Sequence, residues 1–333
     1  MKLHFAEERL PEGTMCATIG FFDGVHLGHL HTLNMVRLQA AACGLTPMVV
    51  TFEQHPQHIL HPEQPPVAQI MTATDRMMWL EQAGVSDVLV LEFTDELAAM
   101  TSTEFMRLLH DHYGVARLIV GFNNRFGSDR SSTFDDYKRA GAALGVTVLQ
   151  ATRNPHGPVS STMIRDLIAG SGDVRSAALL LGRNFYVDGR VVHGNHVGTQ
   201  LGFPTANVGE MNHYQLMPAA GAYAVYAHLI DENGENQLSL PGMAGVGYRP
   251  TFTASHTASV QAKARPYNDG GIGLEVNLFG YEGGDLYGKD ITVFFVDRIR
   301  DEIKFDSTDG LRAQLEQDRE AAEKILREHF PNA

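Results

Sequence analysis

Cysteine is nearly absent from this chain: its 333 residues include two, Cys16 and Cys43, and no CxxC pair. That excludes a disulfide scaffold and a structural zinc ribbon, and it fits a reducing cytoplasm. Basic residues are also scarce, 26 Lys and Arg against 39 Asp and Glu, for a formal net charge of -13. Such a surface would repel a polyphosphate backbone, so nucleic acid is not an expected partner. Long apolar runs are missing too. No stretch approaches the ~18 residues of a membrane helix, and the opening MKLHFAEERLPEG lacks the apolar core of a signal peptide. The chain is therefore expected to be cytoplasmic and free of membrane. GK[ST] is absent, which excludes a Walker A loop, and so is the HExxH of zinc proteases. No feature sets an oligomeric state.

What is present is apolar content of 44%, enough for about two domains of ~150 residues. Over the first half, short runs that are apolar throughout (MCATIGFF, MVVTF, DVLVLEF, ARLIVGF, VTVLQA) alternate with helical stretches. Strands covered on both faces of a parallel sheet read this way, so residues 1–182 are expected to form an α/β doubly wound domain. Within it, Leu30, Leu33, Arg37 and Ala41 trace one side of a helix that Gly44 would end, and Thr101 with Glu104 makes a capping box. Residues 183–333 change texture to Gly-rich strands (FYVDGRVV, GAYAVYAHLI, GMAGVGY, IGLEVNLF, DITVFFVD), the pattern of a small antiparallel β-barrel. Leu311, Leu315, Ala322 and Leu326 then mark a terminal amphipathic helix.

Two constellations carry chemistry. In TIGFFDGVHLGHLHTL, a strand runs into a Gly-punctuated turn and a helix, so Gly20, Phe22, Asp23, Gly24 and Gly28 surround His26 and His29. Free amides and the positive helix end favour an anion there, and imidazoles three residues apart can face one phosphate. Nucleotidyl transfer needs fixed donors of this kind on the attacked phosphate and the leaving pyrophosphate. Half-buried helix histidines are the plain alternative. Further on, Ser161, Thr162 and Arg165 stand at a helix start and also suit phosphate, an ordinary Ser/Thr cap being the alternative. In HGNHVGTQLGFPTANV, Gly198 and Gly202 permit close backbone approach to phosphate, Pro204 fixes the turn, and Thr205 and Asn207 offer oxygens suited to Mg²⁺. A barrel turn would look similar. Glu275, in GIGLEVNLF, is either a solvent-facing strand residue or a base for an alcohol.

The segments GFFDGVHLGH, TFEQHP, GFNNRFGSDR and SSTMIRDLIAGSGDVRSAALLLGRNF resemble, in order, the adenylyltransferase half of bacterial bifunctional riboflavin kinase/FMN adenylyltransferase, the FAD synthetase family. LGFPTAN, GVGYRPTF, LEVNLF, DLYGKDITVFF and RIRDEIKFDS resemble its kinase half. The resemblance implies ATP as substrate of both steps, with Mg²⁺, and riboflavin, FMN and FAD as substrates and products. It implies a nucleotidyltransferase-like first domain and a six-stranded barrel. It places ATP phosphates on His26 and His29, completed by Ser161, Thr162 and Arg165, and flavin near Glu53, His55, Pro56 and Asn123. In the second domain it gives Mg–ATP to Thr205 and Asn207, the proton of the riboflavin 5′-hydroxyl to Glu275, and flavin contact to Arg300. The chain departs from the family's pattern at Glu53, commonly Asp, and at Asn124, commonly aromatic. It also departs at Thr199, usually Arg, at Asn277, usually His, and in a long segment from Thr253 to Gly273. Two rival readings are another HxGH nucleotidyltransferase fused to a barrel and a non-catalytic flavin-binding protein.

Overall fold

The structure, a computed structural model, describes residues 1–122, 124–129, 133–155, 157–193, 201–230, 237–248 and 272–329. Two compact units emerge: Met1–Pro66 with Ala73–Ser160, and Val67–Thr72 with Ser161–Ala333. The break at Ser160 comes earlier than the boundary at 182 expected from sequence.

The first unit is a six-stranded parallel sheet with helices between its strands. The strands are β1 (Lys2–His4), β2 (Met15–Ile19), β3 (Thr46–Phe52), β4 (Asp87–Leu91), β5 (Val115–Val120) and β6 (Thr147–Gln150), ordered β1-β4-β3-β2-β5-β6. Five of them coincide with the apolar runs, and β1 is an addition at the edge. Alternation along β2 sends Met15, Ala17 and Ile19 into one core with Phe105, Leu109 and Tyr137, and Cys16 into another with Val36 and Ala40. Helix α1 (Leu27–Cys43) ends on left-handed Gly44 as expected, but its buried residues are Leu33, Val36 and Ala40. Arg37 and Ala41 are exposed, because the helix seats on β2 about one residue around from the face the sequence suggested. Short α2 (Gln57–Leu60), α3 (Ala73–Gln82) and α4 (Asp95–Ala99) follow, then α5 (Ser102–Tyr113) and α6 (Phe134–Ala143). The Thr101–Glu104 capping box of α5 is present in both directions.

In the second unit, α7 (Ser161–Arg165) runs into a π-helical turn (Asp166–Ser171) and then α8 (Val174–Leu181). Strands β7 (Phe185–Val192), β8 (Ala206–Gly209), β9 (Gly221–Ile230), β10 (Gln237–Tyr248), β11 (Ile272–Leu278) and β12 (Asp290–Asp301) close an antiparallel barrel ordered β10-β11-β8-β7-β12-β9. Helix α9 (Thr308–His329) covers one side, burying Ala322 and Leu326 with Ala224, Met243 and Val296. The helical segment, which buries Val174, Ala177 and Leu181, is also tied to the barrel by polar contacts. Arg298 on β12 donates to the carbonyls of Ser171 (2.8 Å) and Ala220 (2.7 Å), and Arg175 pairs with Asp297. Residues 67–72 dock here as well, through Gln69 N–H to Tyr214 O (2.7 Å) and Leu216 N–H to Gln69 O (2.9 Å).

The edge strand β1 is pinned by one titratable cluster: His4 Nε2 meets Asp87 Oδ1 at 2.7 Å and its Nδ1 meets Glu8 Oε2 at 2.9 Å. Burial, the largest single influence, disfavours the imidazolium, but the hydrogen bonds and charges of Asp87 and Glu8 together outweigh it and raise the pKa above 6.5. A raised pKa stabilises the fold fully below the unfolded value and is lost as pH climbs through the folded one. The melting-temperature advantage of wild type over His4→Gln should therefore be largest at or below about pH 6.5 and shrink by pH 9. Thermal melts across that range test it, and a difference independent of pH would refute it.

Candidate functional site

Strand order in the first unit reverses at β2, with β3 and β4 to one side and β5 and β6 to the other. Loops leaving the carboxyl ends of β2 and β5 diverge there and open a crevice, the usual ligand position in such sheets. The β2 loop carries the HxGH residues. Its backbone is strained, with positive φ at Phe22 (59°) and Val25 (34°) as well as at Gly24 (81°), a pattern retained where surrounding structure enforces it. Gly20 is tied to β3 through its N–H to Val50 O at 3.1 Å, and Asp23 is buried. His26 is the N-cap of α1: its Nδ1 accepts the His29 N–H at 3.2 Å, which in the neutral ring leaves the proton on Nε2. The His26 and His29 rings stack at 3.6 Å, and Phe22 meets His29 edge-on at 5.1 Å. Gly28 leaves room for that stack: a Cβ there would lie 3.1 Å from the His26 ring, which would have to shift by a few tenths of an ångström. Two imidazoles stand at the positive end of α1 with the first-turn amides ahead of His29, whose own N–H is taken by the cap, a donor set suited to phosphate oxygens.

Beside this loop lies a cavity of about 370 Å³. Its walls are aromatic, formed by Phe21, Phe52, Phe93, Phe105 and Phe126, with Asn124 and Arg125 as polar members. Pro56 lines it, His55 packs edge-on against Phe21 at 4.7 Å, and Glu53 is exposed, held through its N–H to Leu91 O. Asn124 Nδ2 donates to Ile19 O at 2.6 Å and ties the β5 loop to the end of β2. That loop is further fixed by Asp129, which accepts from Ser102 N–H and Oγ–H, both at 2.7 Å. Gly127 has φ +88° and a Cβ there would fall 2.3 Å from Ser102 N, so no other residue fits. Asn123 lies outside the described residues. Sequence reasoning missed Phe93, Phe105, Phe126 and Arg125; Phe93 was findable, since it follows directly from the carboxyl end of a strand.

Ser161, Thr162 and Arg165 open the helical segment of the second unit, where Arg165 Nη2 donates to Thr162 Oγ1 at 3.3 Å. In the barrel, β8 pairs with β11 so that Asn207 stands opposite Glu275, which in turn opposes Gly245 on β10. Glu275 is exposed and Asn207 is buried, and space above Gly245 is open. Gly202 has φ +87°, and Leu201 and Phe203 anchor the turn in the core beneath α9. Buried Asn277, two residues beyond Glu275 on the same strand face, donates from Nδ2 to Pro204 O at 2.7 Å and so holds the turn ahead of Thr205. Gly198 lies outside the described residues. Arg300 is committed to buried Asp318 on α9: Nη2 and Nε reach its carboxylate at 2.7 and 2.9 Å, and Nη1 donates to Asp301 O.

A doubly wound unit with an HxGH loop whose donors suit phosphate, joined to a barrel with a Gly/Pro turn ahead of Thr205 and Asn207, fits a nucleotide-using transferase. Comparison narrows the class: the FAD synthetase family matches residues 9–163 and the riboflavin kinase family residues 181–326. The bifunctional riboflavin kinase/FMN adenylyltransferase of Pseudomonas fluorescens is 37% identical, covering 95% of this chain and 94% of that protein. That of Escherichia coli K12 is 34% identical over 96% and 94%, and that of Bacillus subtilis 32% over 96% and 94%. A solved Streptococcus pneumoniae chain titled a macrolide-efflux protein has a TM-score of 0.79 at 30% identity, covering 96% of this chain and 98% of that one. The chain belongs to the bifunctional riboflavin kinase/FMN adenylyltransferase family and is an enzyme of FAD biosynthesis that uses ATP, riboflavin and FMN. No helix among the described residues is long and apolar enough to cross a membrane.

His26 is buried and caps α1, and the HxGH resemblance also gives it a phosphate role, so its variants should separate the two. His26→Ala should lower stability by about 0.5–2 kcal/mol, the usual loss of an N-cap, and also slow adenylyl transfer. His26→Asn retains a capping acceptor, so its melting temperature should stay nearer wild type while adenylyl transfer remains slow. Paired melts and FAD assays check this, and equal melting temperatures for the two variants would remove His26 from the cap.

Proposed function

We propose that the two activities are divided between the two phosphate sites: adenylyl transfer to FMN at the β2–α1 loop, phosphorylation of riboflavin at the β8–β11 face of the barrel. The observation that carries the reading is an aromatic-walled cavity lined by Gly20 and Phe21, the residues that begin the loop leading to HxGH. An isoalloxazine is a flat apolar ring system, and phenylalanine walls suit it. Its ribityl phosphate would then extend toward His26 and His29. An FMN phosphate oxygen attacks the α-phosphorus of ATP, the α–β P–O bond breaks, and pyrophosphate leaves. His26, His29 and the first-turn amides stabilise the charge that builds on these oxygens, with no covalent nucleophile. Gly20, Phe22, Asp23, Gly24 and Gly28 shape the loop. Ser161, Thr162 and Arg165 contribute phosphate contacts by resemblance, as Glu53, His55, Pro56 and Asn123 do for flavin.

In the barrel, Glu275 takes the proton from the riboflavin 5′-hydroxyl as that oxygen attacks the γ-phosphorus, and ADP departs. Gly202 and Pro204 let the turn approach the phosphates. Thr205 and Asn207 supply neutral oxygens, and Glu275 stands opposite Asn207 in the ladder. This hard-oxygen set fits Mg²⁺, which binds through few protein groups plus substrate phosphates. When bound, the ion neutralises charge between the β- and γ-phosphates. For Arg300, the paired Asp318 favours a role in fastening α9 to the barrel over direct flavin contact.

Incubating the enzyme with riboflavin, Mg²⁺ and ATP, then separating flavins by chromatography, tests the scheme. Wild type should yield FMN and then FAD. His29→Ala should slow FAD formation by about 10²–10³ with riboflavin phosphorylation unchanged. Glu275→Gln, which keeps the shape and loses the base, should slow FMN formation by about 10²–10⁴ and leave adenylylation of supplied FMN intact. Either variant depressing both reactions equally would overturn the division of sites.

A further inference from the structure

Helix α3 carries a charge with no place in the scheme above. Arg76 is 2% exposed, in a helix whose other buried residue is Leu80. Its guanidinium carbon lies 4.1 Å from the centroid of the Phe21 ring, and Nη2 donates to Phe52 O at 2.8 Å. Its Nε is buried with no hydrogen-bond partner. Burial pulls its pKa down to about 10, and the neighbouring Asp23 carboxylate offsets part of that.

A buried cation so thinly compensated is a poor stability device. Replacing such a group by an apolar side chain of similar volume is often neutral or stabilising. What Arg76 touches is specific. Phe21 and Phe52 are two walls of the aromatic cavity, and Asp23 belongs to the loop that leads to His26. Phe21 is held on a ring face by the guanidinium and on another side by the His55 edge at 4.7 Å, while its carbonyl accepts from Thr51 Oγ1 at 3.3 Å. A planar fork that stacks on one wall and hydrogen-bonds the backbone of the other fixes their separation, which neither a lysine nor an apolar residue reproduces in full.

We propose that Arg76 is a positioning residue of the adenylyl-transfer site, setting the Phe21 and Phe52 walls so that the cavity accepts the flavin ring in line with His26 and His29. The inference rests on the reading of that cavity as the flavin site. A misplacement of about 1 Å at such a wall is enough to weaken a transfer reaction substantially.

The test uses the full-length enzyme with Arg76→Met and Arg76→Lys. Four quantities are measured: KM for FMN and for ATP with kcat in adenylyl transfer, the rate of riboflavin phosphorylation, the melting temperature, and FMN binding without ATP by quenching of flavin fluorescence. Arg76→Met should raise the KM and Kd for FMN about tenfold or more, with KM for ATP within about twofold. Its riboflavin phosphorylation and melting temperature should not fall. Arg76→Lys, which keeps the cation but not the fork, should recover part of the FMN affinity. If the Met variant does not fold, the Lys variant decides: an FMN KM raised about threefold or more at unchanged melting temperature supports the proposal, and an unchanged KM overturns it. Parallel rises in both KM values with a lowered melting temperature would make Arg76 a packing residue only, and would also overturn it. A wild-type enzyme that makes no FAD from FMN and ATP would instead remove the flavin reading itself.

Discussion

The reversal of strand order at β2 is the constraint on which the first unit depends. In a parallel sheet each strand must be followed by a crossover, and where successive crossovers diverge no backbone fills the space beyond the carboxyl ends. Here those ends are Ile19 and Val120, followed at once by the HxGH loop and by the GFNNRFG loop. The sheet thus brings a helix N-terminus and an aromatic cavity to one crevice. Positive φ at Phe22 and Val25 is the local strain of turning from β2 into α1 within that space. Asn124, reaching back to the Ile19 carbonyl, ties the two loops together.

The barrel solves the same problem with a ladder. Register between β8 and β11 puts Asn207 opposite Glu275, and a one-residue slip would carry one of them to the other face. The slip is opposed from two directions. Val208, Leu274 and Val276 are buried, and Asn277 pegs strand β11 to the Pro204 carbonyl. Position 277, where the family pattern has His, therefore carries a buried amide whose polar group is used in the native structure.

What the sequence made legible followed the strength of local patterns. Apolar runs announced five of six strands in the parallel sheet, and the Thr101–Glu104 box and Gly44 marked helix ends that the structure keeps. Strand β1 escaped because three residues, Lys2–His4, carry no periodicity; its place is set by pairing to β4 and by the His4–Asp87 contact. Strand β8 was hidden inside the PTAN motif, where composition spoke of a turn. The buried face of α1 was misjudged by about one residue because tertiary seating on β2, not the helix's own pattern, decides it. The histidines and Glu275 could be named from motifs. The cavity walls could not, because Phe52 on β3, Phe105 on α5, and Phe93 and Phe126 in loops are brought together only by the fold.

Two buried ion sites show how the chain treats charge. Asp318 is 2% exposed and fully answered: Arg300 binds it bidentately and Gln314 adds a donor at 2.9 Å. Such a group, with its lone pairs satisfied, is compatible with a purely structural role in seating α9 against the barrel. Arg76, equally buried, receives one backbone carbonyl, a ring face and the partial help of Asp23. The two differ in what surrounds them. Asp318 sits on a helix that packs against the barrel, whereas Arg76 lies behind two walls of the aromatic cavity. Apolar walls left to themselves close on one another. A group that props two of them apart must be rigid and must hold both at once, and a guanidinium meets that requirement even where it weakens the fold.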